Sequence, residues 1–215
     1  MLITLKLDIV SDISCPWCII GYQALQQALT TLAPDITADI SWQPFELNPA
    51  MPPEGQDLVE HLTEKYGINA AQIEQNRAMI RERGSDLGYQ FSNSAGGRIY
   101  NTFDAHRLLH WAKKLGKQTQ LKLAFFDLYF KHSGDPSNHQ QLLEVVGNVG
   151  LDVQAAKQVL DSTQYEQEVR ERQKFYQSQG ISSVPAVIIN DKHLISGGQP
   201  AEAFEQALRE IASQH

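Results

Sequence analysis

Both cysteines of the chain lie in the stretch DIVSDISCPWCIIGYQAL, as Cys15 and Cys18 with Pro16 and Trp17 between them. A Cys-x-x-Cys pair supports three readings: a redox-active dithiol, half of a tetrahedral zinc site, or two small core residues. Pro16 suits the first turn of a helix, where a missing N–H costs nothing, and this sets Cys15 at the N-cap. A sulfur there faces unpaired amide N–H groups and the positive end of the helix dipole, which favour its thiolate. Cys18, one turn inward, is expected to be more buried and less ionised. That asymmetry fits an attacking Cys15 and a resolving Cys18. Lowering a thiol from about 8.5 to about 6 requires ~3.4 kcal/mol in favour of the thiolate. A helix terminus supplies at most about 2 kcal/mol, so direct amide hydrogen bonds must add the rest. Neither Pro16 nor Trp17 carries charge, and the expected depression is therefore mild.

Other residues could join this chemistry. In GISSVPAVIIN, Val184-Pro185 precedes a short apolar strand. A cis bond there would leave the Val184 backbone free to pair with a substrate, whereas a trans proline would simply open an edge strand. In NTFDAHRLLHWA, Asn101 and His106 are candidates to line a pocket over the dithiol, while Phe103, Leu108, Leu109 and Trp111 read as core. His106 and His110 share a helical face at i, i+4 and could complete a zinc site with the cysteines. No second Cys-x-x-Cys exists, and no metal is expected. Trp17 should be exposed by position, either to bind an apolar or aromatic substrate or to pack on a neighbouring segment. Trp42 and Phe45 of WQPFELNP read as packing anchors. SAGGRIYN lacks the strand-to-helix setting of a phosphate loop, and EQNRAMIRERGSD reads as a solvated helix face.

The elements that would hold these residues follow from periodicity. Ile3, Leu5, Leu7 and Ile9 alternate with polar residues as a strand does. Ile19, Ile20, Ala24, Leu25, Ala28 and Leu29 recur at helical spacing, and ITADISWQPF offers a second strand ended by Pro44. From Gln56 to about Gln179 the pattern is almost wholly helical, with Gly67, Gly88 and Gly116 as C-terminal glycines. The run from Asp152 to Gly180 reads as helix throughout. VPAVIIN, a turn at Asn190-Asp191-Lys192, HLIS and the helix PAEAFEQALREIA close the chain. The result is a β-α-β unit and a β-β-α unit separated by a helical block.

Bulk properties narrow the functional classes. The 215 residues carry 42 % hydrophobic and 20 % charged side chains, enough apolar chain for a substantial core. A net charge of −7 and the lack of a Lys/Arg run argue against nucleic acid. MLITLKLDIVSD reads as a strand rather than a basic leader with an apolar block, and no run reaches a membrane span. A cytoplasmic setting is therefore expected, where a Cys-x-x-Cys pair is catalytic or metal-binding rather than a structural disulfide.

The order strand, CPWC helix, strand, long helical insertion, SVP and β-β-α resembles the DsbA family of thioredoxin-fold oxidoreductases. SDISCPWCIIGYQAL, WQPFELNPAMPPEG, NTFDAHRLLHWA and GISSVPAVIINDKHLISGGQPAEAF are similar to its FrnE-like branch, over nearly the whole chain. The resemblance implies an α/β, thioredoxin-like domain (1–50 and 178–215) interrupted by a large all-α insertion (51–177). It implies a protein disulfide oxidoreductase or isomerase with Cys15 as nucleophile, Cys18 as resolving thiol and a cis Pro185 opposite them. Pro16, Trp17, Val184, Asn101 and His106 would contact substrate. The redox-active disulfide would serve in place of a cofactor, with protein or small-molecule thiols and disulfides as partners and a monomer or homodimer as the assembly. The layout is also similar to 2-hydroxychromene-2-carboxylate isomerases and kappa-class glutathione transferases, which use glutathione and typically place serine at the position of Cys15. That alternative is a glutathione-dependent isomerase or transferase acting on a small aromatic molecule. A zinc-stabilised binding module is the third reading.

Overall fold

A computed structural model describes residues 2–94 and 96–214. The chain opens with β1 (Ile3–Ser11), α1 (Pro16–Leu32) and β2 (Ile36–Pro44). It continues through β3 (Gln56–Asp57), α2 (Leu58–Tyr66), α3 (Ala70–Asp86), β4 (Arg98–Ile99), α4 (Phe103–Lys114) and α5 (Gln118–Phe130). Then come α6 (His139–Asn148), α7 (Val153–Leu160), α8 (Glu166–Ser178), β5 (Ala186–Ile189), β6 (His193–Ser196) and α9 (Ala201–Ala212). The main sheet has the order β2-β1-β5-β6, with β2 parallel to β1 and the other pairs antiparallel. This is the expected pair of β-α-β and β-β-α units. The β5–β6 hairpin turns at Asn190 and Asp191, both with positive φ, a conformation that these two residue types tolerate well.

β1 is central and covered on both faces. Leu5, Leu7 and Ile9 are buried in the larger core with α1 and α9, while Val10 packs with Phe45, Tyr176, Ile181 and Ala186 in a second cluster. α8, through Tyr176, therefore closes the sheet face opposite α1. The larger core runs without a break from the sheet and α1 into α4, α5, α6 and α7. β2, at the sheet edge, is covered by α5. The Gln118 amide donates to the Trp42 carbonyl at 2.9 Å and accepts from the Trp42 N–H at 2.9 Å. A side chain thus stands in for a further strand at an edge that would otherwise be open. Trp42 is buried as a packing anchor, as is Phe45.

Two features depart from the periodicity. The insertion is not wholly helical, because Gln56–Asp57 pairs with Arg98–Ile99 in a two-stranded ladder. The helical run from Asp152 to Gly180 is broken between α7 and α8, where Tyr165 has φ 67°. The cause is Arg107 on α4, which is 2 % exposed. Its guanidinium donates to the carbonyls of Val159, Ser162 and Gln164 and pairs with Asp104 at 2.8 Å. The carbonyls left at the end of α7 are satisfied by that cation rather than by a further helical turn. Gly67 and Gly116 do terminate their helices, each with φ 68°.

Candidate active site

The segment between β1 and α1 is organised by Asp12, a residue whose importance sequence reasoning missed. It is 1 % exposed. One carboxylate oxygen accepts from the Ile13 N–H (2.7 Å), the Thr102 hydroxyl (2.7 Å) and His106 Nε2 (3.3 Å). The other accepts from the Ser14 hydroxyl (3.0 Å) and the Leu47 N–H (2.8 Å). Burial alone would push this carboxyl up. The hydrogen bond and positive potential of His106, the Leu47 amide and the Thr102 hydroxyl outweigh burial and hold it down at about 2. One anion thereby ties the start of α1, the segment after β2 and the start of α4 together. A buried acid between an apolar strand and two cysteines was the available signal.

Cys15 occupies the N-cap of α1 with Pro16 in the first turn, as expected, and its side chain caps no amide. Its Sγ–H points instead to the Val184 carbonyl, 3.6 Å away. The Val184–Pro185 peptide is cis. Cys15 is 4 % exposed and Cys18 is fully buried, both as free thiols. The expected order of acidity is reversed here. The hydrogen bond to Cys18, then burial, then the charge of Cys18 push the Cys15 thiol well above its ordinary value, and Asp12 adds to this. Burial opposes ionisation of Cys18 as well. The hydrogen bond from Cys15, the Ser11 hydroxyl, the Lys122 ammonium and the Asp12 backbone overcome that and lower it. The physical reason lies in what each sulfur faces. Cys15 has two acceptors nearby, which favour its protonated form, whereas Cys18 has the Lys122 cation, which favours its thiolate.

Lys122, on α5, is the second residue that periodicity did not reveal, although a lone lysine within QLKLAFFDLYF was its mark. It is 1 % exposed, and burial drives its pKa down to about 8, with Cys18, Asp12 and Cys15 holding it from falling further. Its Nζ lies over the rings of Phe126 (4.8 Å) and Trp42 (5.3 Å).

Cys15 opens onto a cleft of about 720 Å³ bordered by Pro16, Trp17 and Val184 on one side and by α2 and α3 on the other. Trp17 is half-buried and stacks closely on the loop after β6, where a Cβ on Gly198 would meet its ring at 3.2 Å. It therefore packs on the thioredoxin-like part while one face borders the cleft, and it does not lean on the insertion alone. Lys65, Arg77 and Arg81 stand in the lining, which includes no carboxylate, although Arg81 pairs with Glu74 at 2.6 Å. The cleft residues on α3 belong to EQNRAMIRERGSD, whose charges suggest a solvated helix face, because no local pattern says which face turns to a distant cysteine.

Two sequence candidates fall elsewhere. Asn101 accepts from the Phe103 N–H at 2.9 Å and serves the start of α4, outside the cleft lining. His106 is 3 % exposed, bound to Asp12, and lies behind the dithiol rather than over it. The helix bearing it enters with its inward face already committed to the Asp12 carboxylate. Among the described residues, no group of three or more His, Cys, Asp or Glu is placed to hold a metal ion. No helix of the described residues is long and apolar enough to cross a membrane.

Comparison with known proteins agrees with this architecture. The chain is 26 % identical to YwbO of Bacillus subtilis (strain 168) over 206 residues, covering 95 % of this chain and 96 % of that one. The structure of a probable DsbA oxidoreductase from Streptomyces coelicolor superposes with a TM-score of 0.90 at 29 % identity, over 98 % of this chain and 91 % of the other. The fold is shared more distantly with the cytosolic disulfide reductase DsbM of Pseudomonas aeruginosa, solved with GSH, at TM-score 0.67 and 12 % identity over 97 % and 99 % of the two chains. The DSBA-like thioredoxin domain model matches residues 6–209, and the chain belongs to that family.

Proposed function

We propose that the protein is a thiol–disulfide oxidoreductase of the FrnE-like kind, with Cys15 as nucleophile and Cys18 as resolving thiol. The observation that carries this reading is access: of two adjacent buried sulfurs, only Cys15 borders the cleft. In the reducing direction, Cys15 Sγ attacks one sulfur of a substrate disulfide while its proton passes to the Cys18 thiolate. The second substrate sulfur leaves as a thiolate and takes up a proton. Cys18, which gives up that proton and is again a thiolate, then attacks Cys15 Sγ; the first substrate sulfur leaves as a thiolate and is protonated by solvent as the Cys15–Cys18 disulfide closes. Two electrons have moved to the substrate. The oxidising direction is the reverse. Pro16, Trp17 and Val184 contact the substrate, and the Val184 backbone aligns an extended chain beside Cys15. No cofactor beyond the disulfide is required, the setting is the cytoplasm, and the working form is a monomer or homodimer.

A second reading has its own support. The cationic cleft suits a small anionic thiol such as glutathione, and hence a glutathione-dependent isomerase or transferase. Insulin reduction and refolding of a scrambled disulfide protein test the first reading. Cys15→Ser should abolish both, and Cys18→Ser should accumulate a mixed disulfide visible by mass spectrometry. Turnover that needs glutathione and survives Cys18→Ser would favour the second.

A further inference from the structure

A second cavity, of about 400 Å³, lies between β2, α4, α5 and α8 and shares no lining residue with the cleft. Lys113, Lys114, Lys122 and Arg172 line it, together with His106 and His110, and no carboxylate is among its lining residues. In a chain of net charge −7, four cations around one concavity form a local reversal of sign. The field acts on His110. Burial first, then Lys114, Lys113 and Arg172 hold its pKa below the usual value, against an opposing pull from Glu168 on α8. Two buried carboxylates lie behind the lining: Asp12, whose oxygens are both engaged with donors, and Asp8, which accepts from the lining Gln43 at 2.5 Å and pairs with Lys6 at 3.2 Å.

Lys122 is the independent pointer. It is 1 % exposed, lines this cavity, and makes no hydrogen bond among the described residues; its ammonium rests only on aromatic faces. A buried ammonium with three donors and no acceptor gains most from an anion that can accept from it. Lys113 and Lys114 in the last turn of α4 and Arg172 on α8 offer further donors at the mouth.

We propose that this cavity is a binding site for a compact oxyanion of the phosphate type, coupled through Lys122 to the redox state of Cys15 and Cys18. In the reduced protein Lys122 and Cys18 lie within electrostatic reach, so ionisation of Cys18 draws on the Lys122 charge. Once the disulfide forms, Cys18 can carry no negative charge and Lys122 is freer to hold the anion. Phosphate therefore binds the oxidised protein more tightly than the reduced one, and by reciprocity shifts the dithiol–disulfide equilibrium toward the disulfide. The site itself needs no substrate exchange at Cys15, so its test is separate from that of the proposed function.

The experiment is a calorimetric titration of inorganic phosphate into the full chain, oxidised and reduced, with sodium chloride at matched ionic strength as control. Saturable binding, about fivefold or more tighter to the oxidised form, is expected. The double substitution Lys113→Ala, Lys114→Ala should weaken it at least tenfold, with insulin reduction in phosphate-free buffer unchanged. Lys122→Met should remove the difference between redox forms, and its melting temperature reports whether the fold is retained. Phosphate binding no better than chloride, or insensitivity to the Lys113 and Lys114 changes, would overturn the site. Equal affinity for both redox forms would overturn the coupling.

Discussion

The Cys15 sulfur lies 3.6 Å from the Val184 carbonyl oxygen, a contact that joins the start of α1 to the residue before Pro185 across 169 positions of sequence. As a thiol, Cys15 donates to that carbonyl; as a thiolate, it would face an acceptor with nothing to give. The same preference for the protonated form is imposed from the other side by Cys18. Resting geometry thus favours the proton on Cys15 and leaves Cys18, whose thiolate Lys122 favours, as the neighbouring base that can take it.

Removing that base should make Cys15 more acidic. Cys18 raises the Cys15 pKa through both a hydrogen bond and its charge. In Cys18→Ser the charge is absent, so the midpoint of Cys15 alkylation against pH should move down. Iodoacetamide kinetics between pH 5 and 10 give the midpoint directly. A midpoint that rises or stays fixed would mean that Cys18 does not hold the proton on Cys15.

Asp12 should dominate acid sensitivity. Its folded-state value of about 2 lies below the ordinary carboxyl value of 3.8. The carboxylate's contribution, on the order of 2 kcal/mol, is fully present above pH ~4 and is lost as pH falls through about 2. Asp12→Asn removes this pH-dependent part and leaves donors around it poorly matched, at a cost of about 2–4 kcal/mol near neutrality. Urea melts at pH 7 and pH 3 should show the variant far less stable at pH 7 and the gap narrowing at pH 3. A gap that widens on acidification contradicts the assignment.

How much of this was visible beforehand depends on the distance over which each residue acts. The N-cap position of Cys15, the helix ends at Gly67 and Gly116, and the Asn190-Asp191 turn are set by a few neighbouring residues, and the sequence pattern locates them. Arg107 is different. It ends α7 from a position 52 residues away, so the stretch from Asp152 to Gly180 keeps a helical pattern through a break. Periodicity likewise places His106 on the inward face of α4 but does not say whether that face meets the cleft or Asp12. Cys15 and Cys18 were identified by type and spacing, whereas their order of acidity depends on Lys122 and Val184, which meet them only in the folded chain.

Lys122→Met should flatten the alkaline limb of stability. The folded-state pKa of about 8 lies below the ordinary lysine value of 10.5, so between these values the unfolded chain binds more protons and wild-type stability rises with pH. The rise is on the order of 3 kcal/mol when complete. Methionine carries no proton and loses that slope, and at pH 7 the variant should be as stable as wild type or more so, since a buried cation has been removed. Cys18 should in turn become less acidic. Denaturant melts at pH 7 and pH 10, in a buffer without phosphate, would show an unchanged slope if Lys122 were freely hydrated.

The last relationship concerns how closely α1 must approach Pro185. A Cβ added at Gly21 would lie 3.3 Å from Pro185 Cγ, tighter than comfortable packing, and 3.4 Å from the Gly198 Cα, at its edge. One of these neighbours is a ring without rotamers and the other is backbone, so relief requires the loop before β5 or the loop after β6 to shift. Either shift moves Val184 or the surface under Trp17, one turn from the nucleophile. Gly21→Ala should therefore cost about 1–3 kcal/mol in stability despite alanine's better helix propensity. It should also slow insulin reduction more than it slows alkylation of Cys15 by a small reagent, because the substrate needs the aligned Val184 backbone and iodoacetamide does not. Equal effects on the two reactions would show that the helix–loop contact supports the fold without positioning the substrate.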